Sequence, residues 1–310
     1  MSETGRMHGR PVIYGEVLFD QFEDGASVLG GAPFNVAWHL QGFGAAPLFI
    51  SRIGNDEPGG QVLEAMCQWG METAGVQRDP VRPTGAVAVS LRDGQPSYTI
   101  LDQQAYDAID LAAARAALGE APLALLYHGS LALRHAPSRL TLGGLRQLGA
   151  PLFVDINLRA PWWQWAQIEP LLRRAHWLKL NDEELGELCT VAGLGPLHCD
   201  ALPDAAETLR RRFGLASVVV TRGAQGAFIA TEAGIVDAAP VAVRSIADTV
   251  GAGDAFSAVT LLGLTAQWPA AKTLERANAF AATVCEQQGA LIEQAAHYHA
   301  FLEKWRSEDA

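Results

Sequence analysis

Lysine is nearly missing from this chain: Lys179, Lys272 and Lys304 are all it has in 310 residues. With no basic run and a net charge of −11, the sequence offers neither a footprint for a nucleic-acid backbone nor a polybasic membrane anchor. None of the three lysines follows G-x-x-x-x-G, so a P-loop is excluded. The longest apolar run, Ala255 to Leu264, is too short for a membrane span, which takes about 20 residues. The opening MSETGRMHGR has no apolar stretch of the kind a signal peptide needs, and the cytoplasm is the expected location. Cys67, Cys189, Cys199 and Cys285 form no C-x-x-C pair and have no His at zinc spacing. They read as reduced, mostly buried thiols rather than metal ligands. A dinucleotide fold would need G-x-G-x-x-G after the first strand, where residues 11–16 hold the single Gly15.

What the chain has is apolar mass in the form of one α/β domain spanning 1–310. Hydrophobic residues make up 49% of it, enough for a large core. Short apolar runs at 11–15, 47–54, 123–129, 151–157, 176–181 and 217–223 alternate with helical patterns, the form of a mostly parallel sheet covered on both faces. Residues 84–102 break the alternation. They read as a hairpin turning at Asp93-Gly94, with Val87, Val89 and Leu91 on one face and Ala86, Ala88 and Ser90 on the other.

The most informative segment is DTVGAGDAF, Asp248 to Phe256. Gly251, Ala252 and Gly253 have little or no side chain, so their N–H groups can approach a ligand. The apolar helix that follows sets a partial positive charge behind them. Asp254 at the same turn can take a proton from an attacking hydroxyl while the donors hold charge on a transferring phosphoryl group. An ordinary helix N-cap is the plainer alternative for a lone Gly-x-Gly-Asp.

Other strand ends carry polar residues where open α/β sheets bind ligands. Asp20 follows the first strand and competes with the reading of an exposed turn residue. Asn35 lies in the helical pattern PFNVAWHL, as a site residue or a capping amide. DINLR ends strand 151–157 with Arg159, a fork of donors for a phosphate or sugar oxygen, or else a surface arginine. Trp162 and Trp163 read as packing residues. Asn181 and Glu184 in NDEE start a helix, where a cap box would look the same. Thr221, Gly223 and Gly226 form a small-residue loop that can approach a nucleotide or be a plain β-turn.

DTVGAGDAF, GGAPFN (Gly30 to Asn35) with SRIGNDEPGG (Ser51 to Gly60), NDEE and TRGAQG together resemble the signatures of the ribokinase-like, or PfkB, sugar kinases, over nearly the whole chain. The resemblance implies a three-layer αβα sandwich with a β-strand lid contributed by about 17–33 and 84–108, and a homodimer contact through those strands. It implies ATP as phosphoryl donor to a small-molecule sugar, with Asp254 as base and residues 251–253 as anion hole. Asp20, Gly31, Ala32, Asn35 and Arg159 fall to the sugar. Asn181, Glu184, Thr221, Gly223, Gly226 and Asn278 fall to the nucleotide. Glu184 would hold Mg2+ through water, and Asp248, Val250 and Gly289 a monovalent cation such as K+.

Where ribokinases have a Lys and an Asn, this chain has Ala32 and Leu18. GEVLFD, GGAPFNVAWHLQGFG and the DINLR string look most like bacterial fructokinases. 2-Keto-3-deoxygluconate kinase is the nearest alternative, then ribokinase or nucleoside kinase. A non-catalytic sensor of the same fold is the reading outside enzymes, though a sensor has no use for a retained Asp254.

Overall fold

Unbroken apolar runs such as PVIY and SVVV suit strands covered on both faces, and the computed structural model places them in the middle of a large sheet. It describes residues 7–92, 95–195 and 201–309. The expected turn Asp93-Gly94, Cys199 and the side chain of Leu91 lie outside that description. In chain order the strands are β1 (Arg10–Tyr14), β2 (Leu18–Phe22), β3 (Ser27–Gly30), β4 (Leu48–Gly54), β5 (Val76–Asp79), β6 (Gly85–Arg92), β7 (Gln95–Ile100), β8 (Leu123–His128), β9 (Leu152–Asp155), β10 (Trp177–Asn181), β11 (Ser217–Thr221), β12 (Ala227–Thr231) and β13 (Gly234–Ala238). The helices are α1 (Ala32–Gly42), α2 (Glu57–Gln68), α3 (Leu111–Leu118), α4 (Ala136–Arg146), α5 (Trp165–Leu172), α6 (Asp182–Val191), α7 (Leu202–Phe213), α8 (Ala252–Thr265), α9 (Ala270–Cys285) and α10 (Ala295–Glu308).

Nine strands pair in the order β13-β12-β11-β10-β9-β8-β1-β4-β5. The pairings from β11 through β5 are parallel, and β12 and β13 are antiparallel additions at one edge. Side chains alternate across this sheet. Val12, Tyr14, Leu126, Val154, Leu178 and Val220 enter one buried cluster, and Ile13, Phe49, Leu125, Tyr127 and Phe153 enter a second on the opposite face with α1 and α8. These two clusters are the two interfaces of an αβα sandwich, as expected. The chain turns back at β1, adding β4 on one side and β8 on the other. That reversal opens a crevice at the strands' carboxyl ends.

A second sheet pairs β3-β2-β6-β7. The 84–102 hairpin forms as β6 and β7, and β6 also runs parallel to β2. Val87 and Val89 are buried with Leu18, Tyr106, Leu131 and Ala132, while Ala88 faces out. The edge strands β5 and β13 went unread in the sequence because VQRD and GIVDA are short and half polar. Cys189 is buried, but Cys67 is exposed and Cys285 only half-buried. The expectation of mostly buried thiols is corrected there: Cys67 lies on the outer face of α2, with Val62 and Met66 turned inward.

Below the small sheet one ion pair fastens its connection to the main body. Arg134 donates from Nε and Nη2 to the two oxygens of Asp107 (2.8 and 2.7 Å) and from Nη2 to the Leu101 carbonyl (2.6 Å). Its guanidinium lies over the rings of Tyr106 and Trp162, 5.1 and 4.4 Å from their centroids. Trp162 thus packs, as its sequence context suggested. Both charged side chains are almost fully buried, at 2% and 3% exposure. Removing one partner leaves the other charge stranded. Asp107→Ala is expected to lower stability by about 3–5 kcal/mol, read as a lower urea midpoint at unchanged slope; a loss under about 1 kcal/mol would show that the pair does not fasten this connection.

Candidate active site

The turn before α8 is shaped by one residue. Gly251 caps the helix with φ 80°, and a Cβ there would sit 2.3 Å from the Cβ of Ala290. Both the left-handed backbone and the close approach require glycine. Gly253 lies in the first helical turn, with its space open except for Lys179 Nζ 3.4 Å from a would-be Cβ. The Ala252 N–H turns to the Thr249 carbonyl at 3.3 Å. Those of Gly251, Gly253 and Asp254 have no protein partner among the described residues. Three free donors at the positive end of a 14-residue helix suit an anion.

Asp254 is the acid of that first turn. Asn35, on α1, donates from Nδ2 to Asp254 Oδ2 at 2.7 Å. The amide is therefore no cap: it is buried inside α1 and aimed at the carboxylate, and its Oδ1 has no partner among the described residues. Burial pushes the Asp254 carboxyl up to about 6; the Asn35 bond, Lys179 and Arg159 pull it down, and Asp155 adds to the rise. A base poised there is ionised at neutral pH yet still takes a proton readily.

Three charged groups that sequence reasoning left unassigned surround the turn. Asp155, at the end of β9, accepts from Tyr127 Oη (3.1 Å), Ser257 Oγ (2.6 Å) and Lys179 Nζ (3.0 Å). Burial works against the Lys179 ammonium, but Asp155, Glu184 and Asp254 outweigh it. Lys179 therefore stands charged behind Gly253. A lysine inside the apolar strand WLKLN was the available signal, because a buried ammonium must be paired. Glu16 follows β1 with Oε2 buried and unpartnered; burial pushes it up to about 7, against its own N–H, Arg159 and Arg134, and Asp254 adds to the rise.

The remaining expected residues fall into three places. Asp20, on β2, is partly exposed and raised by burial. It shares a sheet face with Leu18 and Gly30, and Gly30 fronts Asn35 Oδ1. Gly31 and Ala32 begin α1. Arg159 is exposed, and its side chain donates only to the Leu158 carbonyl among the described residues, with its charge felt at Asp254 and Glu16.

At the ends of β10 and β11, Asn181 and Thr221 pair in register. Asn181 and Glu184 do form a capping box: Asn181 Oδ1 accepts from Glu184 N (2.7 Å), and Glu184 Oε2 accepts from Asn181 N (2.9 Å). Glu184 Oε1 also accepts from Leu158 N at 2.7 Å. Each oxygen retains one lone pair, able to accept from a water on a magnesium ion. Gly223 is exposed with open space around it, whereas a Cβ on Gly226 would meet the Ala238 carbonyl at 2.4 Å. Asn278, on α9, donates to the neighbouring Ala239 carbonyl at 3.3 Å. Both hold the segment after β13.

Asp248 accepts from Val250 N (3.0 Å) and Gly289 N (3.1 Å), so the structure gathers these three residues as well. A groove of about 750 Å³ lined by Arg173, Arg174, His176 and Arg211 lies at the other end of β10 and β11.

This geometry, a sandwich with a helix-terminal anion turn and a poised carboxylate, defines a phosphotransferase. The pfkB carbohydrate kinase family model matches residues 14–295, and the chain belongs to that family of sugar kinases. It is 30% identical to a fructokinase of Klebsiella pneumoniae over 84% of this chain and 86% of that one. A fructokinase double mutant from Vibrio cholerae O395, solved with fructose, ADP and potassium, shares the fold with a TM-score of 0.80 at 24% identity over 96% and 99% of the two chains. A sugar kinase of Pyrococcus horikoshii in complex with ATP has a TM-score of 0.72 at 26% identity over 90% and 93%.

A carboxylate serves as a base only when ionised, so with Asp254 in the role the sequence led us to expect, kcat/KM should rise with pH through about 6 and then level off. Asn35→Ala removes a hydrogen bond that favours the charged form, so its midpoint should move to higher pH. A pH–rate profile on both proteins checks this; a midpoint near 4 in each contradicts the assignment.

Proposed function

We propose that this sugar kinase transfers the γ-phosphoryl group of ATP to the primary hydroxyl of D-fructose. The observation that carries the reading is the Asn35–Asp254 hydrogen bond at 2.7 Å, which joins the helix expected to hold the sugar to the residue expected to deprotonate it. In the reaction the fructose oxygen forms a bond to Pγ as the bond to the leaving ADP oxygen breaks, and the hydroxyl proton passes to Asp254. The free N–H groups at Gly251 and Gly253, with Lys179 behind them, face the developing charge, and Ala252 keeps the turn open. Asp20, Asn35, Gly31, Ala32 and Arg159 hold the sugar, and Asn35 Oδ1 is an unclaimed acceptor for one of its hydroxyls.

Asn181, Thr221, Gly223 and Glu184 face the nucleotide, with Gly226 and Asn278 shaping its wall. Magnesium, held through water by Glu184, would supply charge neutralisation at the phosphates. Asp248, Val250 and Gly289 would seat a monovalent cation. The whole chain acts as one domain, with the small sheet (about 17–33 and 84–108) as a lid and as a homodimer contact. That the Klebsiella relative is a fructokinase supports the choice of sugar, and no described helix is long and apolar enough to cross a membrane, in keeping with a cytoplasmic enzyme.

Fructose is expected to give a kcat/KM at least about tenfold above ribose and 2-keto-3-deoxygluconate, because each lost partner at a buried polar group costs about 1–3 kcal/mol. Initial rates at saturating Mg-ATP decide it. If 2-keto-3-deoxygluconate wins and Arg159→Ala removes that preference, Arg159 meets a substrate carboxylate and the fructose reading falls. Asp254→Asn should cut kcat by about 10²–10⁴-fold with ATP binding kept; a variant within tenfold of the wild type would overturn its role as base.

A further inference from the structure

Asn35, Trp38 and His39 lie at i, i+3 and i+4 on α1, so they share one face of the helix. Asn35 reaches Asp254. Trp38 donates from Nε1 to the Ile292 carbonyl at 2.9 Å. His39 is fully buried, with Nε2 3.1 Å from the Ala290 carbonyl and Nδ1 2.8 Å from Tyr298 Oη on α10. Ala290 is the residue packed so closely on Gly251 that no Cβ fits between them. One face of α1 thus holds the anion turn at both ends, directly through Asp254 and indirectly through Ala290.

The protons in this chain have one consistent arrangement. Burial pushes the His39 imidazole down to about 3, so the ring is neutral and has a single N–H. The Ala290 carbonyl can only accept, which puts that proton on Nε2 and leaves Nδ1 to accept from Tyr298 O–H. Tyr298 Oη also lies 3.1 Å from the Ile292 carbonyl, but its one proton goes to the nearer Nδ1, and Trp38 supplies the carbonyl instead. Every polar group is satisfied with the ring neutral. The surroundings are rigid as well: the rings of Phe43, Trp69 and Phe280 pack against Tyr298 with centroids 5.0, 5.7 and 5.5 Å away.

We propose that His39, oriented by Tyr298, is a positioning residue for phosphoryl transfer: it fixes Ala290 against Gly251 and so sets the anion turn relative to the base that Asn35 holds from the same helix. A displacement of about 1 Å in such a turn can cost on the order of 100-fold in rate. The inference rests on the kinase reading of the Gly251 turn and Asp254, and is independent of which sugar is used.

The test is steady-state turnover of His39→Leu, His39→Gln, Tyr298→Phe and the double variant His39→Leu/Tyr298→Phe, using the sugar that the wild type turns over fastest, with melting temperature measured on each. His39→Leu is expected to lower kcat about 10–100-fold while the KM for sugar stays within about twofold. The pH–rate midpoint should remain where the wild type has it, since the imidazole does not titrate there. His39→Gln keeps an N–H donor and should lose less. Tyr298→Phe should lose activity alone but add nothing in the double variant, because the two act through one chain. A His39→Leu protein that is folded and keeps kcat within twofold overturns the proposal, as does a lower melting temperature with unchanged kcat, or losses that multiply in the double variant. Should the Leu variant fail to fold, Tyr298→Phe and His39→Gln carry the same readouts.

Discussion

The proposed base and the proposed anion hole share one helical turn in this molecule, and their requirements conflict. The positive end of α8 favours the ionised form of Asp254, which would make it too weak a base; burial disfavours that form and lifts it to about 6. The hydrogen bond from Asn35 lets the carboxylate remain in so enclosed a place without being neutralised outright. Much else follows from keeping this contact. α1 must lie against α8, Gly251 must have no side chain so that Ala290 can close in, and the crevice between β1 and β8 must open below them.

Two cations and three carboxylates stand around the turn. The charge of Arg159 acts on Asp254 and Glu16, and Lys179 is held by Asp155, which also takes hydrogen bonds from Tyr127 and Ser257. Fixing the ammonium this way keeps it beside Gly253 without a flexible stem to order when an anion arrives. Glu16 Oε2 and Asn35 Oδ1 are left without partners among the described residues. Unmet polar groups at a crevice are where a polyhydroxylated ligand contributes binding energy.

The parts of this arrangement readable from the sequence were those that depend on local chemistry. The long apolar strands announced themselves by unbroken Val, Ile and Leu. DTVGAGDAF set glycine, helix and carboxylate within nine residues. Asn35 and Asp254 are 219 positions apart, and both were named, but nothing in either segment told that they touch. Lys179, Glu16 and His39 were passed over for the same reason. A lysine in a strand, a glutamate after one and a histidine in a helix gain meaning only when the fold brings Asp155, Asp254 or Ala290 beside them. Gly251 and Gly253 were read alike as small residues, since sequence spacing cannot say which glycine of G-A-G takes positive φ.

The most direct test of this account is a crystal structure with a non-hydrolysable ATP analogue and fructose bound together. The account predicts the γ-phosphate over the N–H groups of Gly251 and Gly253 and a primary fructose hydroxyl within hydrogen-bonding distance of Asp254, at roughly 2.6–3.2 Å. A nucleotide whose phosphates lie away from that turn, or a sugar whose hydroxyls do not reach Asp254, would contradict it.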